Sequence, residues 1–162
     1  MELKFSQTEY EKLIEQLAVK VADYPFDHIL CLARGGLPIG DAFSRIFKKP
    51  LSILSTSAYK NQKREELNIG QYITGTDKLK GNLLIVDDMV DSGHTMVNVV
   101  QTIQEQFSEI RSIKVGVLWY KEQSYFEPDF YVDYIKGNPW IIQPFERWDQ
   151  VDINELVSFY KK

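Results

Sequence analysis

The stretch formed by residues 83–96, LLIVDDMVDSGHTM, restricts the possible folds of this chain more than any other. Its first four residues are aliphatic, which is typical of a strand buried on both faces of a parallel sheet. Three acids follow, Asp87, Asp88 and Asp91, and after residues 92–95 the apolar residues recur at helical spacing. The stretch therefore predicts a strand, a tight loop and a helix, with small and hydroxylated residues where the helix begins.

The start of this helix is suited to binding an anion. The first turn of a helix has backbone N–H groups without partners, and the helix dipole adds partial positive charge there. Gly93 allows close approach of the backbone, and Ser92 and Thr95 supply hydroxyl donors. The acids would repel a phosphate, but carboxylates bind sugar hydroxyls or hold Mg²⁺ through its waters. The combination predicts a site for ribose 5-phosphate, although each residue alone also fits an ordinary turn or a solvated acid.

Length and composition favour one soluble domain covering residues 1–162. Hydrophobic residues make up 44% of the chain and charged residues 26%, as in ordinary globular proteins. No apolar stretch reaches the length of a membrane span, and residues 1–10 lack the apolar core of a signal peptide. Cys31 is the single cysteine, so no internal disulfide can form. We expect a cytoplasmic protein.

The charge balance argues against nucleic acid as a partner. The net charge is −4 and the pI is about 5.2, whereas a nucleic-acid-binding domain is normally basic. A small polyanion remains possible, because backbone N–H groups, Mg²⁺ and a few local cations can hold it within an acidic protein.

Apolar runs elsewhere in the chain alternate between strand-like and helix-like patterns. Strands are predicted at residues 28–33, 51–56, 83–86 and 113–120, and helices at residues 6–24, 37–47 and 96–107. This alternation predicts an α/β fold with an open, mostly parallel sheet flanked by helices. Because ligands of such sheets bind at the carboxyl ends of the strands, the loops after residues 33, 86 and 120 should share one cleft.

Two further segments differ from this pattern. Residues 57–79 are polar, which is typical of a functional loop or a disordered one. We expect residues 58–70 to be mobile without ligand, and whether they close over the site stays open. Residues 121–149 are rich in aromatic residues and prolines, which predicts a small irregular hood or an edge strand. A last helix is expected at residues 152–160, with Leu156 and Phe159 packed inward.

Two more motifs carry candidate chemistry. Arg34-Gly35-Gly36 follows a predicted strand, and beside a phosphate site it is a candidate clamp for pyrophosphate. Lys121 and Trp140 could together bind a flat heterocycle, the lysine donating to an exocyclic oxygen and the indole stacking on the ring. Taken singly, these residues also fit a plain turn, a solvated charge and a core aromatic residue.

The order of these motifs resembles the bacterial and archaeal xanthine–guanine phosphoribosyltransferases, a branch of the type I phosphoribosyltransferases. The resemblance covers most of residues 28–149. It rests on CLARGGLPIG, SAYKNQKREEL, LLIVDDMVDSGHT, the Tyr-Lys after a strand, and YVDYIKGNPWIIQPFERWD. It implies the type I phosphoribosyltransferase fold with a small hood, and a substrate pair of 5-phosphoribosyl pyrophosphate (PRPP) and a purine base.

The resemblance also implies roles for the residues on the PRPP side. Asp87 and Asp88 would bind the ribose hydroxyls and Mg²⁺, the expected cofactor. Arg34 and Gly35 would contact pyrophosphate, with Arg34 also counted as catalytic and the peptide between Ala33 and Arg34 expected to be cis. The 5′-phosphate would be held by Ser92, Gly93, His94 and Thr95, although the position of His94 varies among such enzymes.

On the base side, the resemblance assigns four residues. Asp91 would belong to the PRPP site and would also act catalytically by managing the proton at N7 of the purine. Lys121 would donate to O6, while Trp140 and Ile141 would contact the ring. Ile142 stands where a polar residue could help to distinguish xanthine from guanine, so the preferred base stays open.

The function implied is purine salvage: transfer of the phosphoribosyl group from PRPP to guanine, xanthine or hypoxanthine with release of pyrophosphate. A homo-oligomer, dimer or tetramer, is expected, with no nucleic-acid or membrane partner. Two alternatives remain. The acceptor could be another base, including a pyrimidine, or the protein could be a regulator of the same fold that binds PRPP or nucleotides.

Overall fold

The computed structural model describes residues 1–59, 68–76 and 78–161. Its strands are β1 (Glu2–Lys4), β2 (His28–Ala33), β3 (Leu51–Ser55), β4 (Ile73–Thr74), β5 (Gly81–Val90), β6 (Ile110–Lys121), β7 (Phe130–Ile135) and β8 (Trp140–Ile142). Its helices are α1 (Gln7–Val21), α2 (Leu37–Phe47), α3 (His94–Gln106) and α4 (Ile153–Tyr160). Short 3-10 helices cover Thr56–Tyr59, Ile69–Tyr72 and Pro144–Gln150.

The main sheet has the strand order β4-β3-β2-β5-β6-β7. Every neighbouring pair in it is parallel except β3 with the two-residue β4. Helix α2 lies between β2 and β3 in the chain and α3 between β5 and β6, as in the βαβ units that build parallel sheets. The prediction of an open, mostly parallel α/β sheet flanked by helices is confirmed.

Two hydrophobic cores lie on opposite faces of this sheet. Ile29 and Cys31 of β2 pack with residues of α1 and α2, whereas Leu30 and Leu32 pack with residues of α3. The alternation follows from the period of two residues along a strand, and burial on both faces explains why the central strands read as continuous apolar runs. Helix α1 begins as predicted, with a capping box between Ser6 and Glu9.

Strand β5 is longer than its apolar run. It was predicted to end with residue 86, but it continues to Val90 because Asp87, Met89 and Val90 stay in register with Val117, Trp119 and Tyr120 of β6. Asp87 and Asp88 thus lie in the last residues of β5, where pairing with β6 fixes the backbone. This continuation places their carboxylates at the carboxyl edge of the sheet.

The hood contains more regular structure than its composition suggests. β7 joins the main sheet as a parallel edge strand, and β8 forms a separate parallel pair with β1. The prediction that Phe159 of α4 packs inward is wrong: its side chain is 66% exposed and its ring contacts Tyr160 at 4.9 Å between centroids. Helical spacing identified the helix, but spacing alone does not supply an element to cover its apolar face.

Most of the predicted lid, residues 58–70, lies outside the described residues, so its mobility stays a prediction. Near the C-terminal end of this segment, Ile69 is buried and its N–H donates to Gln106 Oε1 (2.8 Å). Within the described ranges, no helix is both long enough and apolar enough to cross a membrane.

Candidate active site

A cleft of about 300 Å³ lies at the carboxyl edge of the sheet, between the loops that follow β2 and β5. All of the residues predicted to bind PRPP line it except His94: Arg34, Gly35, Asp87, Asp88, Asp91, Ser92, Gly93 and Thr95. The expectation that loops from separate strands meet in one cleft is therefore fulfilled for β2 and β5. This is the position at which parallel α/β sheets bind ligands.

The loop of residues 91–93 leads into α3 through a glycine that the geometry requires. Gly93 has φ +90°, and a Cβ there would lie 2.8 Å from Phe126 and from Ser124 Oγ. Ser92 Oγ accepts a hydrogen bond from the N–H of His94 (3.3 Å). The N–H groups of Thr95 and Met96 in the first turn of α3, together with the hydroxyls of Ser92 and Thr95, form a cradle suited to a phosphate.

His94 contributes its backbone to this loop, while its side chain is engaged elsewhere. Its Nδ1 shares a hydrogen bond with the hydroxyl of Tyr125, and the two rings lie 4.6 Å apart. The N–H of Tyr125 in turn donates to the Ser92 carbonyl (3.2 Å). The segment after β6 is therefore tied to the phosphate loop through a tyrosine that the sequence did not single out.

The carboxylates of Asp87 and Asp88 lie side by side at the end of β5. Asp87 Oδ1 accepts from the Asp88 N–H (2.8 Å), and Asp88 Oδ1 accepts from the Met89 N–H (2.7 Å). Burial, followed by the charge of Asp88, raises the pKa of the Asp87 carboxyl well above its usual range. A cation placed beside the pair would relieve both effects, since it favours the ionised forms.

The donor set fits Mg²⁺ brought in with a substrate. Among the described residues, no group of three or more His, Cys, Asp or Glu side chains could hold a metal. Mg²⁺ commonly uses one or two carboxylates and takes its other oxygens from water and substrate phosphates. Asp87 and Asp88 supply such a pair, and the adjacent cleft leaves space for a phosphorylated ligand.

The loop after β2 packs directly against the acids. The peptide between Ala33 and Arg34 is cis, as the resemblance implied. A Cβ added to Gly35 would lie 2.6 Å from the carboxyl carbon of Asp88, so only glycine allows this approach without a shift. Arg34 and Gly35 line the phosphate-side cleft and also a second cleft towards the hood.

Lys121 and Asp91, predicted to face the base, lie close together. Lys121 ends β6 and is only 4% exposed, with Nζ 3.6 Å from Asp91 Oδ1. Its ammonium also donates to Asn138 Oδ1 (3.1 Å). A lysine at a strand end is normally solvated, so burial of this one beside a carboxylate points to a specific role.

The other two residues predicted to bind the base are placed differently. Trp140 is 65% exposed and lines the second cleft, of about 590 Å³, with Phe145 and Trp148. This second cleft shares Arg34, Gly35 and Asp88 with the first. Ile141 is 3% exposed and packs in the core, which leaves only its backbone for a ligand.

Sequence reasoning missed four side chains that contact these residues: Tyr125, Gln123, Asn138 and Gln143. Gln143 lies in the Trp-Ile-Ile-Gln-Pro run that carried the resemblance, so a signal existed for it. Gln123, Asn138 and Tyr125 lie in loops with no pattern of charge or spacing that marks them, and only the fold brings them to Asp91 and His94.

Comparisons with known proteins agree with this geometry. The family described as "Phosphoribosyl transferase domain" matches residues 6–150. A hypoxanthine/guanine phosphoribosyltransferase of Methanosarcina acetivorans is 30% identical over 112 residues, covering 63% of this chain and 59% of the relative. An orotate phosphoribosyltransferase of Archaeoglobus fulgidus is 29% identical over 103 residues, covering 64% and 54%. The chain thus matches little more than half the length of these relatives.

Among solved structures, a purine phosphoribosyltransferase from Pyrococcus horikoshii superposes with a TM-score of 0.72 at 28% identity, covering 89% of this chain and 93% of the other. A xanthine-guanine-hypoxanthine phosphoribosyltransferase from Helicobacter pylori gives a TM-score of 0.66 at 19% identity, covering 98% of each chain. The second likeness is one of fold.

Proposed function

We infer the function from the premise that this chain belongs to the phosphoribosyl transferase family. We propose that it transfers the 5-phosphoribosyl group of PRPP to a 6-oxopurine (guanine, xanthine or hypoxanthine), releasing pyrophosphate and a nucleoside 5′-monophosphate. Such a reaction returns free purine bases to the nucleotide pool.

The observation that carries the choice of base is the pair formed by Lys121 and Asp91. The O6 and N7 atoms of a 6-oxopurine lie side by side on one edge of the ring. A buried ammonium donor 3.6 Å from a carboxylate acceptor offers partners for both positions, with Lys121 donating to O6 and Asp91 accepting a proton from N7. The 6-amino group of adenine would instead present hydrogens to the Lys121 ammonium, which has no acceptor for them.

The PRPP side of the proposal rests on the lining of the first cleft. The start of α3 holds the 5′-phosphate, Asp87 and Asp88 meet the ribose hydroxyls, and Arg34 and Gly35 meet the pyrophosphate. As the bond between C1 and pyrophosphate breaks, the guanidinium of Arg34 stabilises the charge that develops on the leaving group. Mg²⁺ held at Asp87 and Asp88 would supply further neutralisation of that charge. Asp91 takes the N7 proton as the new glycosidic bond forms.

The exposed ring of Trp140 supports a stacking role from the hood side. It lies in the wall of the second cleft, and that cleft meets the first at Arg34, Gly35 and Asp88. We propose that a base bound near Lys121 is covered by this wall, since an aromatic face excludes water from the cationic sugar that forms during transfer.

An orotate acceptor is the main rival, because an orotate phosphoribosyltransferase matches this chain at 29% identity, close to the 30% of the hypoxanthine/guanine relative. Orotate carries its own carboxylate, which needs an unopposed cation. Lys121 already has the Asp91 carboxylate at 3.6 Å, so a second carboxylate there would be repelled by the first. This contact favours a neutral base. A regulator that binds PRPP without turnover is the other rival.

The test is release of pyrophosphate from PRPP in the presence of Mg²⁺, with guanine, xanthine, hypoxanthine, adenine, uracil and orotate assayed separately. The proposal expects turnover with at least one 6-oxopurine and much less with the other bases. Turnover confined to orotate would show that the acceptor is a pyrimidine. Tight PRPP binding with no turnover on any base would show that the protein is a regulator that binds PRPP.

A further inference from the structure

Two exposed amide side chains connect Lys121 to Asp91. Gln123 Nε2 donates to Asp91 Oδ1 and also to Asn138 Oδ1 (2.9 Å). Asn138 Oδ1 accepts a second hydrogen bond from Lys121 Nζ (3.1 Å). We call the carboxamides of Gln123 and Asn138 the amide bridge. Together with Lys121 and Asp91 it forms a ring of four side chains.

The hydrogen-bonding capacity of the bridge determines its orientation. Both hydrogens of the Gln123 amide are used, one on each acceptor, so the amide cannot rotate without losing a bond. The two lone pairs of Asn138 Oδ1 are likewise taken, by Gln123 and by Lys121. Lys121 has three N–H donors, and Asn138 occupies one of them.

The fourth side of the ring, between Lys121 Nζ and Asp91 Oδ1, is not a hydrogen bond. A charge-assisted hydrogen bond between an ammonium and a carboxylate is normally about 2.7–2.9 Å long. Lys121 Nζ and Asp91 Oδ1 are 3.6 Å apart, so they attract each other without forming such a bond. Without the bridge, nothing among the described contacts would keep the two side chains from closing into a direct ion pair. That pair would occupy the groups that the base needs.

We propose that Gln123 and Asn138 are positioning residues that hold Lys121 and Asp91 apart, so that a purine edge can enter between a free donor and a free acceptor. The inference rests on the proposed function, because it concerns the same base site. Neither side chain is assigned a contact with the substrate; each acts through the residue that it holds.

The loops that carry the bridge are themselves held in place. Glu122 Oε2 accepts from the Gly137 N–H (2.8 Å), and the Glu122 N–H donates to the Ile135 carbonyl (2.9 Å). The turn after β6 and the turn after β7 are therefore joined at two points beside the bridge. Since Gln123 and Asn138 are exposed, they can be substituted with little effect on the core.

Gln123→Met and Asn138→Leu remove the bridge while preserving approximate size. PRPP affinity should stay at the wild-type value in both variants. Each variant should raise KM for hypoxanthine and lower kcat. The loss in kcat/KM should be roughly 10-fold or more, as expected for hydrogen bonds to charged groups. The double variant should lose no more than the worse single variant, because both residues act through one unit.

Gln104→Met is the matched control, an exposed glutamine of α3 outside the site, and it should behave as wild type. Thermal melting checks that all variants are folded, and GMP affinity provides a readout independent of turnover. If the wild-type protein turns over hypoxanthine while both bridge variants keep wild-type kcat/KM and GMP affinity, the inference is wrong and the proposed function stands. Absence of turnover by the wild-type protein on every 6-oxopurine overturns both.

Discussion

Gln143 Nε2 donates a hydrogen bond to Asp88 Oδ2 at 2.5 Å, which joins the hood to the acidic end of β5. Gln143 is 4% exposed, and its N–H donates to Glu146 Oε1 (3.1 Å). The orientation of an acid expected to bind ribose and Mg²⁺ is thus set by a side chain 55 positions later in the chain.

Gln143→Met should separate binding from stability. The variant loses the donor that orients Asp88, so PRPP affinity in the presence of Mg²⁺ should fall by roughly 3–10-fold, the range for one hydrogen bond to a charged group. Stability should change little, because methionine keeps the approximate size of the buried side chain. Calorimetric titration with PRPP and thermal melting give the two values. Unchanged PRPP affinity would show that Asp88 is oriented without the hood.

Asp87→Asn should stabilise the protein and impair its function. Because burial and Asp88 raise the pKa of Asp87, the folded protein binds this proton more tightly than the unfolded chain does. The cost of ionising Asp87 is therefore absent below its unfolded pKa, grows as the pH rises from there to the folded pKa, and stays constant above it. At pH 8 the variant should melt roughly 2–4 °C above wild type, a shift of about 1 kcal/mol, and the difference should shrink towards pH 4.

The same variant should show a smaller rise in Tm than wild type when Mg²⁺ and PRPP are added, since one of the two carboxylates is lost. Asp23→Asn, at an exposed acid that lines neither cleft, is the control and should match wild type in both measurements. An Asp87→Asn variant that melts below wild type at pH 8 would contradict the assigned burial cost.

Gly35→Ala should weaken PRPP binding through a steric clash. The new methyl group would lie 2.6 Å from the Asp88 carboxyl carbon, which forces either the loop after β2 or the acid to move. A shift of this kind at a ligand contact should lower PRPP affinity by about 10-fold or more. Gly116→Ala is the control, because its Cβ would meet Leu17 and Val21 at an ordinary 3.6 Å. Equal PRPP affinity in the two variants would rule out the close approach as a functional feature.

The sequence predicted the scaffold of this site better than its contacts. The strands β2, β3 and β6 and the loop into α3 followed from apolar runs and from glycine, because backbone pairing and burial depend on short-range patterns. Strand β5 exceeded its apolar run, since pairing with β6 continues through Asp87 although the side chain is polar. The end of β5 could not be predicted from local polarity, because backbone pairing with a strand that is distant in sequence does not depend on it.

The burial of Lys121 could not be predicted for a related reason. A lysine followed by Glu122 and Gln123 has the pattern of an exposed strand end, but Lys121 is buried, with Asn138 and Asp91 from other loops beside it. The exposure of Trp140 is the converse case: an aromatic residue in an apolar run was expected near the base, and it lines the wall of a second cleft. Both outcomes depend on how loops from different strands assemble.

Asp91→Asn should lower kcat by roughly 10²–10⁴ if Asp91 accepts the N7 proton in the transition state. The amide keeps the size and can still accept from Gln123, so the loop should stay in place, and PRPP affinity should change little. Single-turnover measurement of nucleotide formation isolates the chemical step. Near-normal kcat in that measurement would mean that Asp91 only shapes the loop.

The most direct test of the account is the ratio of kcat/KM for hypoxanthine to that for adenine and for orotate, measured with saturating PRPP and Mg²⁺ in wild type and in Lys121→Met. Methionine keeps the buried aliphatic chain and removes the donor. The account predicts a ratio of about 10³ or more in wild type, since a site built for one hydrogen-bonding pattern strongly rejects its opposite. The ratio to adenine should fall at least tenfold in Lys121→Met through a higher KM for hypoxanthine. A wild-type preference for orotate, or an unchanged ratio in the variant, would contradict the assignment of Lys121 to a purine O6.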